Sequence, residues 1–481
     1  MANLKSLLKD TVIYGLSSII GRFLNYLLVP LYTAKISAAS GGYGVITNVY
    51  AYTALLLVLL TFGMETTFFR FANKEGQDAN KVYGTTLWSV GGVSAIFVAL
   101  VLIFLNPIAS FQGYASHPEY IATMAITVAI DSVLCIPFDY LRFQNRAIKF
   151  ATIKLINIAM LIVLNCFAYL FMGVTDVKWV FYINLFCSAF QILLLAKELC
   201  GFRFGFDKTL LKHMLGYSWP ILVLGIAGIL NQTADKILFP FVYEKADAHT
   251  QLGIYGAASK IAMIMAMITQ AFRLAYEPFV FGQNKSKDNR ETYAKAMKFF
   301  VIFTLLAFLF VVGYMDLLRY IIAPDYWDGL NVVPIVMAAE IMMGVYFNLS
   351  FWYKLIDKTI WGAYFSGIGA LVLVIIDVLF IPRFSYMACA WAGFAGYGTS
   401  MLLSYFIGQK NFPVNYPLRD IFFYVGLTMV FFVGMNLANN TLPVWASIGF
   451  NTIILVFFVA VIVKRDLPLA SLPFIGRYFK K

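Results

Sequence analysis

Arg22, Asp131 and Lys260 lie deep inside segments apolar enough to cross a membrane. An ionisable group at mid-membrane costs on the order of 2.5 to 3.5 kcal/mol on insertion scales, so a chain that keeps one normally turns it toward a wet cavity or an opposite charge. Arg22 shares a helical face with Ser18 and Asn25, and Lys260 stands beside Gly256 and Ser259. A guanidinium offers phosphate oxygens a planar fork while an ammonium adds a compact point charge, so this pair of cations suits an anionic, phosphate-bearing cargo. A pyrophosphate-linked lipid fits that description, because its head group cannot cross hydrocarbon unaided. Nearer the expected outer surface stand Asn231 and Asp235, one turn apart, then Glu340 with Gly344 and Asn348, and Asp377. These residues suit the lining of an outward vestibule. For each deep polar residue the plainer reading is a single interhelical hydrogen bond or ion pair, and Lys154, close to the inner surface, reads as a side chain that snorkels to the interface.

A second set of charges stands at expected cytoplasmic helix ends: Glu65 with Arg70, and Arg273 with Glu277. Pseudo-symmetry would bring these four together as an inner gate of cross-lobe ion pairs; the plainer reading leaves them solvated. Other chemistries find little support. The chain has 5 Cys and 3 His, with no CxxC pair, so neither a disulfide frame nor a metal site is expected. No GxxxxGK[ST] motif is present, so no nucleotide cofactor is expected, and the drive must be a gradient or the membrane potential, with Na⁺ or H⁺ open as a coupling ion. The 46 Phe, 29 Tyr and 8 Trp read mostly as belt and core residues, with stacking on sugar rings the lesser reading for Tyr43, Tyr255, Tyr326 and Trp327 near the outer surface.

The elements that hold these residues are legible as apolar runs. The chain is 61% hydrophobic and 12% charged with a mean hydropathy of +0.79, against roughly 25% charged residues in an average soluble domain. It reads as an all-α polytopic membrane protein without a folded domain outside the bilayer. A helix needs about 20 apolar residues to cross the hydrocarbon layer. Fourteen runs meet that test, near 11 to 32, 45 to 69, 83 to 105, 119 to 141, 150 to 173, 178 to 198, 214 to 235, 252 to 277, 298 to 319, 332 to 353, 359 to 381, 385 to 408, 420 to 438 and 442 to 463. The opening residues, with two lysines before an overlong apolar run, read as an uncleaved first helix. The net charge of +12 would suit a nucleic-acid partner, but the 36 Lys and Arg are scattered in short loops and report topology instead. Most fall on one side when both termini are cytoplasmic, as the positive-inside rule requires.

The chain also repeats itself. LLVPLY, GYGV and METTFFRFANKE in the first half recur as ILFPFVY, IYGA and YEPFVFGQNKS, pairing Pro30 with Pro240, Gly44 with Gly256, Glu65 with Glu277 and Asn73 with Asn284. Each copy spans six helices, an even number, so both halves enter the membrane in the same direction and are related by an axis along its normal. The expected organisation is an N-lobe over 1–200, a cytoplasmic inter-lobe loop over 201–213 that acts as the hinge, a C-lobe over 214–410, and two added helices with a basic tail over 411–481. Two pseudo-symmetric six-helix lobes plus two C-terminal helices make about 14 transmembrane helices.

At this point the residues resemble a known family. TVIYGLSSIIGRFLNYLLVPLYT at the start, FGMETTFFRFA, LRFQNRAIKF, GIYGAASKIAMIM, AYEPF, YWDGLNVVPIV and GVYFNLSFWYK before Lys358 and Thr359 are similar, in order and spacing, to polysaccharide-repeat flippases. These are the O-antigen and capsule lipid-linked oligosaccharide flippases of the multidrug/oligosaccharidyl-lipid/polysaccharide exporter superfamily, and the resemblance covers nearly the whole chain. It implies a central solvated cavity, a groove near helices 13 and 14 for an isoprenoid tail, and movement of undecaprenyl-diphosphate-linked oligosaccharide from the cytoplasmic to the periplasmic leaflet of the bacterial inner membrane. It makes Arg22 and Lys260 the first choices for head-group contacts, with Asn25, Asp131, Asp235 and Glu340 as further substrate-binding candidates. It also implies a monomeric transporter, not an enzyme, with a polysaccharide polymerase as a partner. A multidrug or organic-cation antiporter of the same fold is the alternative, kept open by Asp131, Asp235 and Glu340. A membrane polysaccharide polymerase or ligase would need a large outer loop, and those near 106 to 118 and 241 to 251, which carry His117 and His249, are short.

Overall fold

A chain that places its backbone in hydrocarbon must satisfy every N–H and C=O internally, which leaves helices or closed barrels. Helices are what form here. The computed structural model describes residues 26–282, 289–356 and 358–466, and the side chains of all of these except 274, 275, 277–282 and 289. Among the described residues every regular element is helical. Eleven helices are long and apolar enough to cross a membrane, or twelve if the pair Lys178–Leu194 and Ala196–Phe204, bent by 69°, counts as one span. This falls short of the expected fourteen for two local reasons. The run near 11 to 32 lies mostly outside the described residues. The run near 385 to 408 forms the helix Tyr386–Asn411, but its glycines, serines and tyrosines dilute its apolar character.

The chain packs as two compact units, Met1–Ala257 with Gly362–Gly396, and Ala258–Trp361 with Tyr397–Lys481. In the first unit the helix Gly42–Thr61 lies antiparallel to the helix Lys208–Val242 along much of its length. Their contacts keep one register. The Asn48 amide donates to Lys236 O at 2.7 Å, Val58 lies over Gly225, and Ile221 lies over Gly63. Beyond Gly63, the Arg70 guanidinium covers the Tyr217 ring at 3.9 Å. The span expected over 45 to 69 is not continuous. Phe62 and Gly63 both adopt left-handed backbone, with φ of 52° and 67°, and the chain restarts as the short helix Met64–Ala72. A left-handed conformation costs a bulky residue on the order of 1–3 kcal/mol and persists only where surrounding packing over-determines it. Here Met64 and Phe68 are sunk among Val82, Tyr83, Leu87 and Ile136, with Phe62 packed against the same cluster.

The second unit centres on Asn289–Gly313, against which Leu418–Thr441, Val444–Arg465 and Val333–Leu349 pack. Polar groups pin the last two helices at both ends. At one end the Lys298 ammonium lies 2.6 Å from Asp420 and also pairs with Asp466, while Arg465 pairs with Asp420. At the other, the fully buried Asn451 donates from Nδ2 to Gly313 O at 2.8 Å and to Asn439 Oδ1 at 2.7 Å. Between these ends, Val430, Val433, Ile453 and Val456 are exposed apolar side chains that suit contact with lipid tails.

Candidate functional site

Arg22 and Asn25, central to the sequence-based site, lie outside the described residues. Lys260 is half-buried on the helix Ala248–Gly282, and Glu340 is half-buried on Val333–Leu349. Asp235 is buried and tightly held: the Lys236 ammonium lies 2.8 Å from Oδ2, and the Tyr255 hydroxyl donates to the same oxygen at 2.8 Å. Asp377 belongs to the same cluster. It is fully buried, feels the Asp235 charge, and meets the Cys389 thiol, a weak donor, with neither carboxylate oxygen in a normal hydrogen bond among the described residues. Asn231, one turn from Asp235, is also buried and donates from Nδ2 to Ser366 O at 2.8 Å. The Lys236 ammonium contacts Asp235, and the buried carboxylate of Asp377 beside that pair is costly unless a further positive charge or a proton completes it.

A second polar cluster forms along one face of Pro118–Phe143. Asp131, Cys135 and Asp139 follow each other at four-residue spacing, which stacks them on one side of a helix. Asp131 accepts from the Ser188 hydroxyl and feels the Lys154 charge. Lys154 stands over the Phe138 ring at 3.8 Å, so its ammonium is turned onto the protein and not simply released to the inner surface. Asp139 is buried, pairs with Arg142 at 3.1 Å, and feels Glu65, which is half-buried on Met64–Ala72. Asp139, Lys154 and Lys236 were not among the site residues expected from sequence. The four-residue spacing from Asp131 is the sequence signal by which Asp139 could have been found.

Of the inner-gate candidates, Glu65 and Arg70 fall on one short helix, Arg70 being exposed and stacked on Tyr217. Arg273 is exposed, with its guanidinium 4.9 Å from the Phe347 ring. The Glu277 side chain lies outside the described residues. The outer aromatics follow the main expectation of core residues and not the lesser one of sugar stacking. Tyr43, Tyr255 and Tyr326 are at most 4% exposed, packed where no sugar ring reaches them, and Trp327 spends its indole N–H on Arg319 O and Ile322 O. His117 pairs with Glu119 and His249 stacks on Tyr114, so both histidines of the outer loops have structural partners. No group of three metal-ligating side chains forms among the described residues.

The basic loop between the halves is not loose. The Tyr83 hydroxyl donates to Glu198 O at 2.9 Å, and the Trp88 indole donates to Phe202 O at 2.9 Å. Asp207 caps the helix Lys208–Val242 by accepting from the amides of Thr209 and Leu210, and it meets Lys81 at 2.8 Å. The Lys81 hydrogen bond and the Leu210 amide hold its carboxyl down to about 2.

The comparisons agree on kind. Residues 40–331 match a family model described as polysaccharide biosynthesis protein. Protein 1 of the Lsg locus of Haemophilus influenzae is 20% identical over 285 residues, covering 58% of this chain and 67% of that one. Among solved structures, the lipid II flippase MurJ in an inward closed conformation superposes with a TM-score of 0.72 at 14% identity, over 94% of this chain and 99% of that one. An inward-facing multidrug resistance MATE family transporter of the MOP superfamily gives a TM-score of 0.66 at 13% identity, over 80% and 93%. At such identities the likeness is one of fold. This is a multi-pass membrane protein with that architecture.

Proposed function

The chain belongs to the family of polysaccharide biosynthesis proteins, whose match covers more than half of its 481 residues, and on that premise we propose that it is a flippase for an undecaprenyl-diphosphate-linked oligosaccharide. The cargo moves from the cytoplasmic to the periplasmic leaflet of the bacterial inner membrane as two lobes open alternately to either side, with both termini in the cytoplasm. The observation that carries this reading is the meeting of the two sequence repeats. Gly44 and Gly256 are equivalent positions of the repeat, and each is pressed onto the other copy's helix. A Cβ on Gly44 would sit 1.8 Å from His249 O, and one on Gly256 would sit 2.3 Å from Thr47 Oγ1. Repeats that close on each other through glycine at one end are what a rocking transporter needs for a tight seal that can also part.

Arg22 and Lys260 grip the diphosphate in this proposal, while the isoprenoid tail stays in lipid. Glu65, Arg70, Arg273 and Glu277 form the cytoplasmic gate. With the cell interior negative, each net negative charge carried outward gains about 2.3 kcal/mol per 100 mV, so the membrane potential favours the proposed direction. The alternative, a multidrug or organic-cation antiporter, draws on Asp235 and Asp377. The Lys236 ammonium on Asp235 weakens it, because an internal cation already occupies the place an organic cation would take.

The test is reconstitution into vesicles with a fluorescent lipid-linked oligosaccharide, scoring the fraction reached by an added impermeant glycosidase. Translocation that disappears in Lys260→Gln supports the proposal. Equal translocation in protein-free vesicles, or cation export without lipid movement, refutes it.

A further inference from the structure

We propose that the bent segment Ala196–Phe204 and the basic turns beside it form a binding site for anionic phospholipid, holding the phosphodiester head groups of the leaflet in which it lies. This goes beyond the flippase reading and does not depend on it.

The helix Ala79–Ile103 shows where that leaflet is. Trp88, Gly92, Ile96, Leu100 and Ile103 follow one another at three- or four-residue spacing and are all exposed, so they form a single stripe against lipid tails. At 1.5 Å per residue the stripe runs about 22 Å from Trp88 to Ile103, most of the way across a hydrocarbon core of about 30 Å. Trp88 therefore stands at the foot of the stripe, the level at which indole rings sit between tails and head groups. The bent segment is fastened there. The Trp88 indole donates to Phe202 O at 2.9 Å, and the two rings meet edge to face at 4.9 Å.

The chain reaches this level by turning 69° between Lys178–Leu194 and Ala196–Phe204. Spans cross a bilayer at a tilt of about 20° on average, so a helix bent that far from one runs close to the membrane plane. Its side chains suit the position. Phe204 and Phe206 are exposed aromatics, and Lys197, Arg203, Lys208 and Lys212 are exposed cations. The two acids of 197–213 are already engaged: Glu198 is buried and held by Lys149 at 2.6 Å, and Asp207 meets Lys81 at 2.8 Å. Arg142 and Arg146, exposed on the adjoining turn 142–149, which carries no acid, add to the positive charge, with Arg146 4.0 Å from Glu198.

The positive-inside rule accounts for the side on which these cations lie. It does not require them to be held still, and the backbone that carries them is. Gly201 lies so close under the Tyr83 ring that a Cβ there would sit 2.0 Å from it, and the Asp207 amide donates to Thr85 Oγ1 at 3.2 Å. Cations on a fixed frame lose less freedom on meeting a phosphate than cations on a loose loop. A zwitterionic lipid brings its own ammonium and gains little here, whereas a lipid with net negative charge gains from every cation.

The experiment uses the full-length protein in phosphatidylcholine vesicles that carry a small, equal fraction of either phosphatidylglycerol or phosphatidylcholine brominated near the top of its acyl chains. Bromine quenches a nearby indole, so the quenching present in the parent and absent in Trp88→Phe reports the lipid beside Trp88. Phosphatidylglycerol is expected to be preferred, and the preference to fall by up to about fivefold for each charge removed in Lys197→Gln and Arg203→Gln. High salt is expected to abolish it. Lys178→Gln, at the far end of the helix Lys178–Leu194, is expected to leave it intact. Electron resonance of spin-labelled phosphatidylglycerol gives a second reading that needs no change at Trp88: the immobilised fraction falls in the double variant. Equal quenching by the two lipids in the parent overturns the inference. So does a preference that survives the double variant, or one that Lys178→Gln weakens as much. The lipid-movement assay tests the flippase reading separately.

Discussion

Gly44 and Gly253 approach so closely that a Cβ on Gly253 would lie 2.9 Å from the Gly44 nitrogen, with the Gly44 Cα and the Tyr43 carbonyl carbon just beyond. Backbones meet there without side chains between them, and the contact joins the two copies of one sequence repeat. Gly44→Ala must push its methyl into the His249 carbonyl, which cannot rotate away as a side chain would. Overpacking of this sort costs about 1–3 kcal/mol in a well-packed core. We expect a lower midpoint in thermal unfolding of the purified protein and new labelling of a cysteine placed at the buried Ala51 by an impermeant reagent added outside. Wild-type stability with no added labelling would show that the contact is not a seal.

Lys260→Gln and Arg22→Ala should each reduce translocation by about 100-fold or more with protein level unchanged, because a bound diphosphate loses a charged partner that the remaining residues cannot replace. Surface polysaccharide in a strain carrying only the variant is the readout. Normal polymer in either strain would remove that residue from the site.

If Glu65 and Arg273 pair across the cytoplasmic gate, Glu65→Arg should impair translocation and the double variant with Arg273→Glu should recover it at least in part. A double variant no better than the worse single one argues that each charge acts alone.

Asp207 gives a pH dependence with a definite sign. Its carboxyl sits at about 2 in the folded protein, below the ordinary 3.8. A depressed acid stabilises the fold above its unfolded value, and that contribution is lost as pH falls from about 4 toward 2. Asp207→Asn should therefore flatten the acid limb of the stability profile in that window and leave the profile unaltered in shape above it. Identical acid limbs for the two proteins would contradict the helix cap and the Lys81 pair.

Asn451→Ala removes a buried amide that serves Gly313 O and Asn439 Oδ1, taking its donor from Gly313 O while Asn439 Oδ1 keeps the Ser447 hydroxyl. Buried polar groups stripped of a partner cost about 1–3 kcal/mol each way they are counted. Loss of thermal stability is expected without loss of the helical signal; an unchanged unfolding midpoint would mean the network does not hold the last two helices.

The alternation of apolar runs with short charged loops decided the helical, membrane-spanning nature of this chain, because transfer of each residue from water to lipid depends on its own chemistry and adds along the segment. The repeat was equally legible, since duplicated motifs keep their spacing whatever they pack against. Tertiary structure decided the rest. Nothing in the order of residues told that Phe62 and Gly63 break their span opposite Pro220, or that Asn48 answers Lys236 across the seam. Nor could Asp235 and Asp377, separated by several helices, be seen to lie buried within reach of each other's charge. A hydropathy pattern carries the cost of burying each group but not the identity of its neighbour, and contacts between distant segments exist only once the helices have chosen which faces meet.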